Sequence, residues 1–204
     1  MHIVNVMPLF PKTTIVGKLT DVDTDFIINN LKETFKDDKY FSKYDLFYST
    51  DPYLHKEEKY LPLTKQILNF VNLVCKDIFR YSNLTPRITL MWATGTTTGS
   101  TIHRHHHPNS FFSGVYYPQD IEYSALRFSN PQKPVLFPRF DEHNLYNSTS
   151  MSYCPQQGDI VLFPSDLEHD VLPNTSPQMR LSIAFNIFFS GEFGDEKSLS
   201  FLEL

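Results

Sequence analysis

A chain of 204 residues, 41% of them hydrophobic, is long enough for one domain with a sizeable core. Its formal charge of −5 and pI near 5.9 argue against nucleic acid as the main partner. No stretch has the length and apolarity of a membrane span or the pattern of a signal peptide. Aromatic residues are abundant, with 18 Phe and 11 Tyr against only 7 Gly, a bias towards strands. Cys75 and Cys154 lie far apart without zinc-ribbon or CxxC spacing, which points to a reducing, cytoplasmic setting.

The first segment, from His2 to Leu19, reads as one or two short strands interrupted by Pro8 and Pro11. Asp23-Thr24-Asp25 then gives an N-cap signal, and Ile27, Leu31 and Phe35 recur at helical spacing. Residues 36–59 are charged and Tyr-rich without a clean period, and read as a long surface connection. Pro62 suits the first turn of a second helix, whose stripe is Ile67, Phe70, Val71, Val74 and Ile78. Cys75 lies beside that stripe and should pack rather than react.

From Pro86 the period changes. Residues 87–94 read as a buried strand, followed by a turn over 95–100. Further strands are expected over 111–117, 126–128, 160–163, 171–172 and 180–189. Residues 132–151 read as a loop with an apolar island at Val135-Leu136-Phe137. Helices first and many short strands afterwards, cut by Pro, Gly and Asn, indicate a barrel or jelly roll with supporting N-terminal helices. The fold class is thus α+β, mainly β. The expected organisation is one domain over 1–204: strand and helices over 1–85, a jelly-roll core over 86–190, and a tail over 191–204.

Four of the eight histidines fall within His103-Arg104-His105-His106-His107. In an extended segment side chains alternate faces, so His103, His105 and His107 would share one face. Converging neutral imidazoles suit a transition metal, although a solvated His-rich loop is the bland alternative. A distant partner should come from a later strand, and His169 is the candidate; His143, His55 and His2 read as ordinary residues. Arg180 opens a markedly apolar strand and would need an anion if it points inwards. Ser182 lies on the same face and could add a hydrogen bond to a carboxylate. A solvated strand-edge arginine is the competing reading.

Together these residues resemble the iron(II)- and 2-oxoglutarate-dependent oxygenases. More narrowly, HHHPNSFFSGVYYP and GDIVLFPSDLEHDVLPNTSPQMRLSIAFNI are similar to a family of small 2-oxoglutarate oxygenases from bacteria and their phages, within the prolyl-hydroxylase-like superfamily. The match runs from about Leu90 to Phe189. The resemblance implies a double-stranded β-helix, Fe(II) as metal and 2-oxoglutarate and dioxygen as co-substrates. It implies His105, His107 and His169 as metal ligands, with Arg180 and Ser182 at the far carboxylate of 2-oxoglutarate. Tyr117 would be a further donor to that carboxylate, while Tyr116 should face the other way and pack. Asn186 and Trp92 would line the pocket or belong to the core.

One departure matters. The usual triad is two His and one carboxylate, and here the carboxylate position reads His107. His103 and His105 with His169 form an alternative triad, and Asp166, Glu168, Asp170, Asp120 and Glu122 are candidate donors of a carboxylate. The implied reaction is hydroxylation of a peptidyl (prolyl-like) or small-molecule substrate with release of succinate and carbon dioxide. Two other classes stay open: a three-His cupin-like dioxygenase that does not use 2-oxoglutarate, and a non-catalytic jelly-roll binding module. No nucleic-acid or membrane partner is expected, and a homodimer is left open. The location would be the host cytoplasm if a phage encodes the chain.

Overall fold

Alternation of apolar residues along the last long strand builds both faces of the main sheet. The structure, a computed structural model, describes residues 10–35, 46–121, 124–132, 136 and 138–204. Its strands are β1 (Ile15–Lys18), β2 (Leu46–Tyr48), β3 (Leu84–Thr96), β4 (Ile102–His105), β5 (Phe112–Tyr116) and β6 (Leu126–Ser129). These are followed by β7 (Ser150–Tyr153), β8 (Asp159–Pro164), β9 (His169–Val171), β10 (Arg180–Phe193) and β11 (Leu202–Glu203). The major sheet runs β1-β8-β5-β10-β3-β2, with β11 on the end of β10; the minor sheet runs β4-β9-β6-β7. Their strand pairs are antiparallel, and the two sheets form a double-stranded β-helix.

Two cores follow from the period of two. On β10, Leu181, Ile183, Phe185 and Ile187 are fully buried against the helices α1 (Thr24–Thr34) and α2 (Leu61–Leu73). Each such side chain contributes roughly 1.5–3 kcal/mol of burial. The intervening residues Arg180, Ser182 and Ala184 face the space between the sheets. There Tyr117, Val161 and Phe163 of the major-sheet side pack against Leu126 and Val171 of the minor sheet. Tyr116, one residue from Tyr117, is buried in the helix-side core, as alternation requires.

Helix α1 begins where Asp23 accepts the Phe26 N–H at 2.9 Å, the cap that the Asp-Thr-Asp signal predicts. Helix α2 buries Leu63, Ile67 and Val71, then widens into a π-helical turn over Val74–Ile78. That turn adds a residue per revolution and shifts the apolar phase, so Cys75 is buried while Ile78 is half exposed. Burial also pushes the Cys75 thiol up to about 11, which fits packing rather than reactivity.

The expected surface connection over 36–59 is corrected in its second half; residues 36–45 lie outside the described residues. Leu46-Phe47-Tyr48 is an edge strand paired with Thr94–Thr96 of β3, and Leu54 and Tyr60 are buried. Three residues are too few to show a period, so the strand is not visible in the sequence. The loop expected over 132–151 ends in strand β7, which begins at Ser150 and pairs with β6. Leu136 is exposed; Val135 and Phe137 of the apolar island lie outside the described residues, as do His2 and Glu122.

Candidate active site

The register of β4 against β9 decides which histidines turn inwards. Ile102 is paired with Val171 and His105 with His169, three steps on β4 against two on β9. This bulge breaks the alternation. It brings Ile102 and His105 to the same wall of a cavity of about 220 Å³ and leaves His103 exposed. His107, beyond the end of β4, faces the same cavity, as does His169 at the start of β9. One nitrogen each of His105, His107 and His169 lies within 4.8 Å of the other two. The alternative set built on His103 is not brought together.

Two rings have their tautomer set by the backbone. A carbonyl can only accept, so His105 Nδ1–H donates to His103 O at 2.8 Å and His169 Nδ1–H donates to Leu167 O at 2.9 Å. In the neutral form of either ring this puts the free lone pair on Nε2, the arrangement usual for metal-binding imidazoles. The Nε2 atoms of His107 and His169 are 3.3 Å apart. Two nitrogens at right angles around one ion, each about 2.1 Å from it, stand about 3.0 Å apart. Burial, reinforced by His169, His105 and His106, pushes His107 down to about 3. Burial also takes His169 down to about 4, against the opposing hydrogen bond to Leu167. These two rings are therefore neutral at pH 7, as a metal requires.

None of the described candidate carboxylates joins them. Asp170 turns to the other face of β9, where its oxygens accept Arg127 Nε and Nη2, each at 2.9 Å, and lie near Arg104. Asp166 pairs with Lys12, Asp120 accepts the Gln157 N–H, and Glu168 is exposed. His143 lies beside Phe140 in the β6–β7 connection, the two rings tilted by 57°, and is not part of the cluster. His55 is partly buried, with an unpartnered Nδ1.

Deeper in the cavity lies Arg180, only 2% exposed. Its guanidinium carbon sits 5.4 Å from the centre of the Tyr117 ring, and its Nη1 reaches Ser182 Oγ only at 3.5 Å. Arg180 Nε, Tyr117 OH and Thr96 Oγ1 are buried without a hydrogen-bond partner. Among the described residues no carboxylate lies within ion-pair distance of Arg180. Burial pushes Arg180 down and Tyr117 up, the direction expected of desolvated groups. A buried cation beside unsatisfied hydroxyls costs free energy that an anion would recover. The chemistry of these residues fits a carboxylate at one end of the cavity and a transition metal at the other.

Trp92 lines the cavity with its ring 5.7 Å from that of His107. Asn186 does not; its Oδ1 accepts from Ser113 Oγ. Sequence reasoning missed Tyr48 and Thr94, cross-strand neighbours that also line the cavity. Tyr48 left no signal beyond a three-residue apolar run, whereas Thr94 lies on the cavity face of β3, two residues from Trp92.

The jelly roll thus holds three convergent imidazoles, a donor set that suits a transition metal, in one cavity with a buried arginine that could anchor an acid. Residues 90–186 match the family described as "Putative 2OG-Fe(II) oxygenase". No curated protein matches the chain in sequence. Among solved structures, the chain is similar in fold to the non-haem alpha-ketoglutarate-dependent epimerase SnoN from nogalamycin biosynthesis. That match has 10% identity and a TM-score of 0.65, and covers 92% of this chain and 83% of the other. HygX from Streptomyces hygroscopicus, with nickel, 2-oxoglutarate and hygromycin B bound, is similar at 16% identity and a TM-score of 0.61, covering 86% and 82%. A Pseudomonas putida prolyl-4-hydroxylase is similar at 13% identity and a TM-score of 0.54, covering 86% and 92%.

Proposed function

We propose that His105, His107 and His169 hold the Fe(II) and that Arg180, with Ser182 and Tyr117, binds the far carboxylate of 2-oxoglutarate. The observation that carries this reading is the buried, unpaired Arg180 in the same cavity as the three imidazoles. Neither a cupin-like dioxygenase independent of 2-oxoglutarate nor a binding module needs that cation. With both bound, Fe(II) and 2-oxoglutarate couple dioxygen reduction and release of succinate and carbon dioxide to oxidation of a substrate C–H bond.

The protein's own residues do the rest. The His105 and His169 rings are held by their Nδ1–H bonds to carbonyls, so their lone pairs converge without reorganisation. Arg180 supplies the counter-charge for the acid, and Tyr117 OH and Ser182 Oγ donate to its oxygens. Phe163 and Val171 keep water from the inner end. His107 in place of a carboxylate leaves the centre one negative charge short, so a dianionic co-substrate does more of the neutralising.

The cavity is smaller than the roughly 300–1,000 Å³ of drug-sized sites. It has room for a small acid and the reactive end of a substrate. The substrate is a peptidyl residue of prolyl type or a small molecule, hydroxylated in the cavity that Tyr48 and Trp92 help to line. The fold likeness to a prolyl-4-hydroxylase supports the first, and the likeness to HygX the second. The chain works as one domain in a reducing cytoplasm, in keeping with free thiols at Cys75 and Cys154, and pairing into a homodimer is part of the same proposal.

Anaerobic Fe(II) loading followed by 2-oxoglutarate titration tests the reading. A metal-to-ligand charge-transfer band should form in the wild type and be lost in Arg180→Ala and His169→Ala. No band, and no succinate under air, would overturn it.

A further inference from the structure

Three motif residues have no part in the site so far: Ser113 of the Ser-Gly-Val-Tyr-Tyr run, Ser165 of Leu-Phe-Pro-Ser, and Asn186 of Ala-Phe-Asn. They stand 21 to 73 positions apart, and the fold brings them into one buried network. Ser113 Oγ donates to Asn186 Oδ1 at 2.9 Å and lies 2.8 Å from Ser165 Oγ. A hydroxyl has one proton, so Ser165 must be the donor to Ser113. All three are at least nine-tenths buried, Ser113 on β5, Asn186 on β10 and Ser165 in the turn that follows β8. Three hydroxyl and amide groups so buried carry a cost unless every bond is made.

The network ends on a metal-facing residue. The carbonyl of Ser165 accepts the backbone N–H of His107 at 2.9 Å, and Ser165 N–H donates to Phe111 O at 3.1 Å. His107 and Phe111 bracket the turn His107-Pro108-Asn109-Ser110. Asn109 takes φ of +60°, which Asn tolerates better than most residues, and Ser110 Oγ lies 3.1 Å from Phe112 O and 3.3 Å from Ile187 O. The turn is thus fastened at both ends.

His107 needs this fastening more than its partners do. His105 and His169 lie on paired strands and have ring hydrogen bonds to backbone carbonyls. His107 lies off the strand, and among the described residues its ring has no such carbonyl. Its ring lies among those of Trp92, His105, Phe163 and His169, so no backbone acceptor fixes it and the placement of its own backbone matters more.

We propose that Asn186, Ser113 and Ser165 are positioning residues that set the Ser165 carbonyl and, through it, the placement of His107 at the metal. This rests on the reading of His107 as a ligand. Co(II) titration, followed by visible absorption under anaerobic conditions, tests it in the full chain. Ser165→Ala is the gentle variant, because it leaves the Ser113–Asn186 bond intact. It should weaken Co(II) binding about tenfold, the lower end of outer-shell effects, and alter the ligand-field bands, while Ser165→Thr restores both. In a His107→Ala background the same substitution should change affinity less than about twofold, the additivity limit of independent sites. If Ser165→Ala lowers the melting temperature but leaves Co(II) affinity and spectrum unchanged, the network is only structural and the proposal falls. An equal effect with and without His107 also overturns it, while the ligand reading stands. If His107→Ala itself leaves Co(II) binding intact, both fall together. Should Ser165→Ala not fold, Asn186→Ala and Ser113→Cys are put through the same cycle, with the same two outcomes deciding.

Discussion

The rings of His107 and His169 are parallel to within 1°, with centroids 5.1 Å apart and their Nε2 atoms facing each other at 3.3 Å. One of these residues follows a bulged strand and the other opens a strand 62 positions later. Two neutral nitrogens held this close, with a third nearby, suit a metal ion. Saturating Co(II) should therefore stabilise the protein. At a hundred times its dissociation constant an ion adds about 2.7 kcal/mol, or roughly 5–10 °C in Tm for a domain of this size. Thermal melts with and without Co(II) measure it, and His169→Ala should abolish the shift.

Acid should act on the metal-free protein through the same pair. In the fold His107 and His169 take up a proton only near 3 and 4, against the ordinary 6.5. Between pH 6.5 and about 4 the unfolded chain binds more protons than the folded one, so stability falls as pH falls through that window. Urea unfolding of metal-free protein at pH 7 and pH 5 gives the slope. The double variant His107→Gln, His169→Gln should have a shallower one, and an equal slope would count against the pair.

Arg180 gives opposite signs in two measurements. Without 2-oxoglutarate its buried charge is uncompensated, so Arg180→Met should raise stability by about 1 kcal/mol or more. With 2-oxoglutarate, losing the partner of a buried charge costs about 2–5 kcal/mol, a thirty-fold to several-thousand-fold loss of affinity. Melting curves and co-substrate titration of the same variant test both. A drop in stability without co-substrate would mean that the arginine has a structural partner instead.

Asp170 separates a ligand from a strand clamp. Its carboxylate is buried and forks onto the half-exposed Arg127 across β9 and β6. Asp170→Asn should cost about 1–3 kcal/mol but leave one metal bound per chain. A loss of metal stoichiometry would make Asp170 the missing carboxylate.

Gly114 lies where the two cores meet. A Cβ there would stand 2.2 Å from Phe185 Cζ and 2.7 Å from the backbone oxygen of Val161. Phe185 is fully buried and Val161 O belongs to the paired strand, so neither gives way easily. Gly114→Ala should cost about 1–3 kcal/mol or more by overpacking, read by urea unfolding.

Much of this was legible in the chain. The alternation Arg180-Leu181-Ser182-Ile183-Ala184-Phe185 has one period, and it assigns the polar residues to one face and the apolar ones to the helices. The Asp23 cap, the Pro62 start of α2 and the Gly158-Asp159 start of β8 are local backbone rules acting within a few residues. Local chemistry therefore determined the jelly roll, its supporting helices, and the histidines and arginine that were candidates. Only the tertiary structure decided which of them meet. The bulge between Ile102 and His105 arises from pairing with β9, and no property of the His cluster alone says that His103 turns out while His105 turns in. The Asp170 carboxylate is held by Arg127, 43 positions away, and the Ser113–Ser165–Asn186 network joins β5, the turn after β8 and β10. Such bonds depend on register between distant segments, and register is set by the packing of the whole sheet rather than by any stretch within it.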